Sequence, residues 1–162
     1  MTTKKNSTKK RTQLPIKLRS GTKTDVRSQF AALCYRYKKE KLQVCLVTSR
    51  GTGRWILPKG WPMHKQTPAE AAAQEAWEEA GLIGRPIDHC LGVFSSIKPI
   101  DNETTPILVM VYPVHISKVA SEWPEMNQRQ RKWMSLKKAS KNLTEPELIR
   151  IVSTFDPEKL SG

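Results

Sequence analysis

Glu75, Glu78 and Glu79 stand at i, i+3 and i+4 of an alanine-rich stretch, a spacing that projects three carboxylates from one face of a helix. Like charges crowded together repel unless something neutralises them. Clustered carboxylate oxygens are also the donors that hard divalent cations, Mg²⁺ above all and Mn²⁺ as a second choice, prefer. The segment therefore reads as a metal site. A solvated acidic face is the bland alternative, but it leaves unexplained the Pro58-Lys59-Gly60 loop just before the helix and the caps that frame it.

Local chemistry delimits that helix. Thr67 suits the N-cap, Pro68 the first helical position, and Glu70 lies where a capping-box carboxylate reaches back to the cap. Ala71, Ala72, Ala73 and Ala76 favour helix, and Gly81 supplies a left-handed stop. The spacing predicts a helix over 68–80, with alanines small enough for close packing on a sheet and glutamates facing a cleft.

Over Gly60 to Leu82 the residues resemble the Nudix hydrolase signature. In that signature a glycine, five residues, a glutamate and seven residues lead to Arg-Glu, an apolar residue, any residue, Glu-Glu, any residue, glycine and an apolar residue. Gly60, Glu75, Ala76, Glu78, Glu79, Gly81 and Leu82 match, whereas Gln66 and Gln74 stand where the signature has its first glutamate and its arginine. In the family those two charges form an ion pair that braces the loop on the helix. Losing both together leaves no uncompensated charge, and two glutamines can exchange amide hydrogen bonds. The expectation is a neutralised brace, not a dead site.

The resemblance extends from about Val26 to Phe155 and includes VCLVTSRGTGRWILPKGWP before the helix and RQRKWMSL after it. It is greatest to the diphosphoinositol polyphosphate phosphohydrolase subgroup, some of whose members also cleave diadenosine polyphosphates. It implies metal-dependent hydrolysis of a phosphoanhydride bond in a highly phosphorylated small molecule. Glu75 and Glu79 become the chief metal ligands, Glu78 a direct or water-mediated one, and the Gly60 carbonyl a further donor. The general base stays open among these carboxylates and a later loop glutamate, for which Glu125 is the candidate, with Glu103 behind it. A salt bridge from Glu125 to Arg129 or Arg131 is the plainer reading of that residue. Arg50, Arg54 and Lys59 around the loop, and Lys17 and Arg19 near the N-terminus, are candidates to receive phosphates.

Composition is compatible with a polyanionic substrate. The 162 residues carry 28 Lys+Arg against 15 Asp+Glu, a net charge of +13, which speeds encounter with phosphate-rich ligands. The charge is uneven, because eight basic residues precede the first acidic one, Asp25, and 20 basic against 15 acidic residues remain. Residues 1–15 are polar and basic and are expected to form a mobile tail before one domain over 16–162. That tail reads as a solubilising end in preference to a nucleic-acid-binding arm. Without an apolar run long enough to cross a bilayer, or a secretory signal, the chain is expected in the cytoplasm, off the membrane. Cys34, Cys45 and Cys90 fit reduced, buried thiols. His64, His89 and His115 are scattered and are no metal set; Trp61, Trp77, Trp123 and Trp133 could stack a base but more often pack.

Runs 30–37 and 42–48 predict a hairpin joined by Lys-Lys-Glu-Lys, 55–57 a short strand, 88–97 and 107–116 a second strand pair, and 132–136 a last strand. Thr144 and Glu147 repeat the cap pattern before an apolar stripe of Leu148, Ile151, Val152 and Phe155. Strand pairs interleaved with two helices indicate a mixed β-sheet between helices, the α/β/α sandwich that the Nudix resemblance implies. Two other functions remain open: 5′-pyrophosphate removal from RNA, suggested by the basic arm, and a non-catalytic Nudix-fold polyphosphate-binding module, suggested by Gln66 and Gln74.

Overall fold

A computed structural model describes residues 13, 15, 27–100 and 103–160. The expected tail apart from Gln13 and Pro15, together with Lys17, Arg19 and the Glu103 side chain, lies outside the described residues. Strand β1 (Ser28–Lys38) and β2 (Lys41–Thr48) form the expected hairpin. Its two turn residues, Lys39 and Glu40, both have positive φ, 52° and 67°, the backbone that matches a two-residue turn to strand twist.

Strand β3 (Trp55–Ile56) adds to β2, and β4 (Lys59–Gly60) pairs antiparallel with β1. Helix α1 (Pro68–Ala80) follows, then β5 (Leu82–Pro86), β6 (Gly92–Ile100), β7 (Glu103–Val119) and β8 (Arg131–Met134). Helices α2 (Leu136–Asn142) and α3 (Pro146–Ser153) close the fold. The sheet runs β3-β2-β1-β7-β5, with β6 on β7 and β8 on β2. Pairing of β1 with β7 is parallel and the other pairings are antiparallel, so the sheet is mixed.

Central β1 is buried on both faces, which is why FAALCY reads as an unbroken apolar run. Ala31, Leu33 and Tyr35 pack with Leu148, Val152 and Phe155 of the C-terminal layer. Phe30, Ala32 and Cys34 pack with Ala69, Ala72 and Ala76 of α1. The result is a mixed sheet between helical layers, as the strand pattern indicated. Helix α1 has the expected bounds, a complete Thr67/Glu70 capping box, and Gly81 in the left-handed region at φ 66°.

Several elements differ from the sequence expectation. The short β5 and helix α2 were not foreseen, so there are three helices of regular α type among the described residues, not two. Gly92 opens β6 four residues later than expected, while β7 runs to Val119 on its pairing with β5. Glu145, not Thr144, is the N-cap of α3 and makes no side-chain cap bond; Pro146 supplies the helix start instead. Cys90 is exposed, which corrects the expectation of three buried thiols, because it falls in the loop before β6; Cys34 and Cys45 are buried and free. No helix among the described residues is long and apolar enough to cross a membrane.

Candidate functional site

One end of the sheet opens into a cleft of about 550 Å³. The start of β1 contributes Gln29, the β2–β3 loop contributes Arg50 and Arg54, and β4 contributes Lys59 and Gly60. Helix α1 contributes Glu75, Glu78 and Glu79, β6 contributes Ser96 and Ile97, and the loop before β8 contributes Glu125 and Arg129. The structure thus brings together Glu75, Glu78, Glu79, Glu125, Gly60, Arg50, Arg54 and Lys59 from the sequence-derived candidates.

Gly60 faces the carboxylate of Glu75. A Cβ placed on it would overlap Oε2 and Cδ of Glu75 and lie 2.8 Å from Oε1. Only a glycine lets the β4 backbone approach that side chain so closely, which gives the first glycine of the segment a physical role.

Glu79 is 5% exposed. Its Oε2 lies 3.5 Å from Nη2 of Arg129, and its Oε1 is buried with no hydrogen-bond partner. Burial pushes the carboxyl up to about 8; Arg129 works against this, Glu75 and Glu125 add to it, and Lys59 opposes it. Arg129 also donates Nε to Glu125 Oε1 at 2.6 Å and Nη1 to the Thr48 carbonyl at 3.1 Å. Glu125 therefore lines the cleft and holds the Arg129 ion pair at once.

The last turn of α1 is tied to the loop that carries these residues. The Glu125 N–H donates to the Glu78 carbonyl at 3.0 Å, the Trp123 indole donates to the Glu79 carbonyl at 3.1 Å, and Arg131 Nη1 donates to the Ala80 carbonyl at 2.7 Å. Arg131 also stacks on the Trp123 ring at 3.9 Å. Helix C-terminal carbonyls lack intrahelical partners and attract cations, so the sequence after β7 completes the helix that precedes β5. Neither Arg131 nor Trp123 was singled out for this from sequence, since the pairing spans 44 or more residues.

The exchange expected between Gln66 and Gln74 is absent. Gln74 instead donates Nε2 to Glu78 Oε2 at 2.9 Å, one turn along the helix, and Gln66 Oε1 is buried without a partner. Arg50 and Arg54 reach the cleft but already have protein contacts. Arg50 donates to Gln128 at 2.9 Å, and Arg54 donates to Thr144 at 3.1 Å and pairs with Glu145 at 3.2 Å. Among the described residues no tryptophan lines the cleft; Trp61 and Trp133 pack against the two cores, and the Trp123 ring carries Arg131. His115 stacks on Tyr35 at 4.7 Å.

Among the described residues no group of three or more acidic, histidine or cysteine side chains converges into a ready-made cage for a metal ion. The donor set still suits Mg²⁺, which keeps several waters and uses one or two protein carboxylates together with substrate phosphates. The orphaned Oε1 of Glu79 is a donor that the protein itself leaves unsatisfied.

A family model described as NUDIX domain matches residues 27–155. Diphosphoinositol polyphosphate phosphohydrolase 2 of Rattus norvegicus is 28% identical over 131 residues, covering 80% of this chain and 69% of that protein. Diphosphoinositol polyphosphate phosphohydrolase 3-alpha of Homo sapiens is 30% identical over 115 residues, covering 70% of this chain and 66% of that protein. Among solved structures, the Ap4A hydrolase of C. elegans has a TM-score of 0.56 at 18% identity, covering 78% of this chain and 93% of that one. A NUDIX hydrolase from Nitrosomonas europaea has a TM-score of 0.59 at 16% identity, covering 78% and 86%. At those identities the structural likeness carries the fold alone.

Proposed function

Since the chain belongs to the NUDIX domain family, we propose that it is a metal-dependent pyrophosphohydrolase that cleaves phosphoanhydride bonds in highly phosphorylated small molecules. Diphosphoinositol polyphosphates and diadenosine polyphosphates are the substrate classes suggested by the names of its relatives. The observation that carries the reading is the convergence of carboxylates and cations on one cleft. Three carboxylates of α1 line it together with Arg50 and Arg54 of the β2–β3 loop and Lys59 of β4.

In this reading Glu75 and Glu79 hold Mg²⁺, or Mn²⁺, with Glu78 contributing directly or through water and the Gly60 carbonyl as a further donor. When bound, the ion withdraws charge from the phosphate and lowers the pKa of water. Gly60 fixes the position of Glu75, and Arg129 holds Glu79 and Glu125 in place. Lys59, Arg50 and Arg54 receive phosphate oxygens, for which arginine offers two parallel donors. Phosphoryl transfer needs positioning and charge stabilisation more than covalent chemistry from the protein, and these residues supply both.

The test is phosphate release with Mg²⁺ or Mn²⁺ from a diphosphoinositol polyphosphate, a diadenosine polyphosphate, inorganic polyphosphate and 5′-triphosphorylated RNA, comparing wild type with Glu79→Gln. Turnover lost in the variant with an unchanged melting curve is the expected result. Equal turnover in the two proteins would refute the assignment of the glutamate helix. Binding without turnover in the wild type would replace hydrolysis by a binding role.

A further inference from the structure

Helix α1 leaves part of an apolar sheet face uncovered. In the β6–β7 pairing Val93 lies opposite Met110, Ser95 opposite Leu108 and Ile97 opposite Pro106, and residues directly opposite one another share a face. That face continues along β7 into Tyr112 and Val114, which pack with Ala72 and Ala76 of α1. Away from the helix it stands bare: Val93, Leu108 and Ile97 are 43%, 53% and 67% exposed. Apolar exposure clustered on one face marks a docking surface, whereas scattered exposed residues need no explanation.

The chain itself is pinned beside this surface. Gln13 falls in the stretch expected to be a mobile tail, yet its N–H donates to Asp88 Oδ2 at 2.7 Å and its Oε1 accepts from the Tyr112 hydroxyl at 2.8 Å. Further along, the Arg27 carbonyl accepts from the Leu108 N–H at 3.3 Å. The N-terminal segment is therefore held to β7 at two places, Tyr112 and Leu108, and the bare face lies alongside. Between these points Leu14, Ile16 and Leu18 alternate with Pro15, Lys17 and Arg19, the period-two pattern of an extended segment with one apolar side. In extended form residues 14–18 span about 13 Å, which matches the rise from Leu108 to Tyr112 along β7. Ser20-Gly21 then supplies a turn back toward β1.

We propose that residues 14–18 of this same chain dock in extended form on the β6–β7 face, with Leu14, Ile16 and Leu18 against Val93, Met110 and Leu108. Attachment at Gln13 and Arg27 keeps the segment at high effective concentration over the face, so it outcompetes a second copy or a separate protein of similar affinity. Burial of its apolar side chains ties the N-terminal segment to the stability of the sheet. This holds whether or not the cleft turns over any substrate.

The experiment is thermal melting of the full chain, comparing Ile16→Asp with Lys17→Asp. Ile16→Asp is expected to lower the melting temperature by about 4–8 °C, the effect of losing one buried aliphatic side chain in a domain of this size. Lys17→Asp, on the other side of the segment, should hold it within about 2 °C. Leu108→Asp should also lower it, and the double variant Ile16→Asp with Leu108→Asp should lose clearly less than the sum, because the two positions share one contact. No loss in Ile16→Asp, equal losses at positions 16 and 17, or additive losses in the double variant would overturn the proposal. Sedimentation checks the rival occupant. The chain is expected to be a monomer, and a wild-type dimer that Leu108→Asp dissociates would assign the face to a second copy instead.

Discussion

Replacing Gly60 by alanine should separate catalysis from stability. The added Cβ would overlap Oε2 and Cδ of Glu75 and approach Oε1 to 2.8 Å, whereas non-bonded carbon contacts settle at about 3.5–4.0 Å. All three of these atoms belong to the end of one flexible side chain, so β4 need not move. Glu75 must swing aside by about 1 Å or more to restore ordinary contact distance. Leaving a preferred rotamer costs about 0.5–1.5 kcal/mol, equivalent to a melting shift of about 2–4 °C per kcal/mol in a domain of this size. A misplacement of about 1 Å at a reacting centre costs about 10²-fold in rate. Thermal melting and kcat/KM on one phosphoanhydride substrate therefore should diverge, with a small stability loss and a large activity loss. Retained activity would mean that Glu75 is not held in place by Gly60, and a melting loss well beyond that range would mean that the glycine serves folding instead.

Three further perturbations test other contacts. Gln74→Glu replaces the donor 2.9 Å from Glu78 Oε2 by a like charge; it should cost about 1 kcal/mol and lower turnover, with partial recovery of stability in high salt, and an unchanged melting curve and rate would refute the pairing. Arg129→Met leaves Glu79 and Glu125 facing each other without their shared cation; breaking such a buried pair should cost about 3 kcal/mol by urea unfolding, and a loss under about 1 kcal/mol would show that Arg129 is dispensable to the fold. Burial pushes the Cys45 thiol from 9.0 up to about 12, so across that window the folded chain keeps a proton that the unfolded chain releases and stability falls as pH rises. Cys45→Ala should flatten that fall in urea titrations, and an unaltered slope would assign the loss elsewhere.

The features legible in the sequence were those set by neighbours in the chain. The bounds of α1 follow from Thr67, Pro68, Glu70 and Gly81, all within two turns of the helix they delimit. The β1–β2 hairpin follows from two apolar runs and a short polar turn. Helix α2 was missed because SLKKASKN carries little apolar periodicity; it is capped by Ser135 and buries only Ala139. The strand β5 was missed for a related reason. It is five residues long with two exposed positions and a shift in register beside Gly84, where a side chain would strike the His115 carbonyl. Both elements depend on packing outside their own sequence, β5 on its pairing with β7 and α2 on β2 and the helix that follows it.

The same distinction runs through the cleft. Its glutamates were legible because one helix period sets their spacing, while Arg129 and Gln29 arrive by tertiary pairing. Net charge was the weaker guide. The chain carries +13, yet among the described residues the cleft is lined by Glu75, Glu78, Glu79 and Glu125 against Arg50, Arg54, Lys59 and Arg129, equal numbers of each sign. Among the described residues the cleft therefore carries no excess of either sign. Overall charge can raise the encounter rate with any polyanion, but it falls off beyond a Debye length of about 8 Å in physiological salt. Within the cleft the pairing of the two signs depends on the ties of Glu125, Trp123 and Arg131 to the last carbonyls of α1, which fix the loop bearing Arg129 against the helix bearing the glutamates.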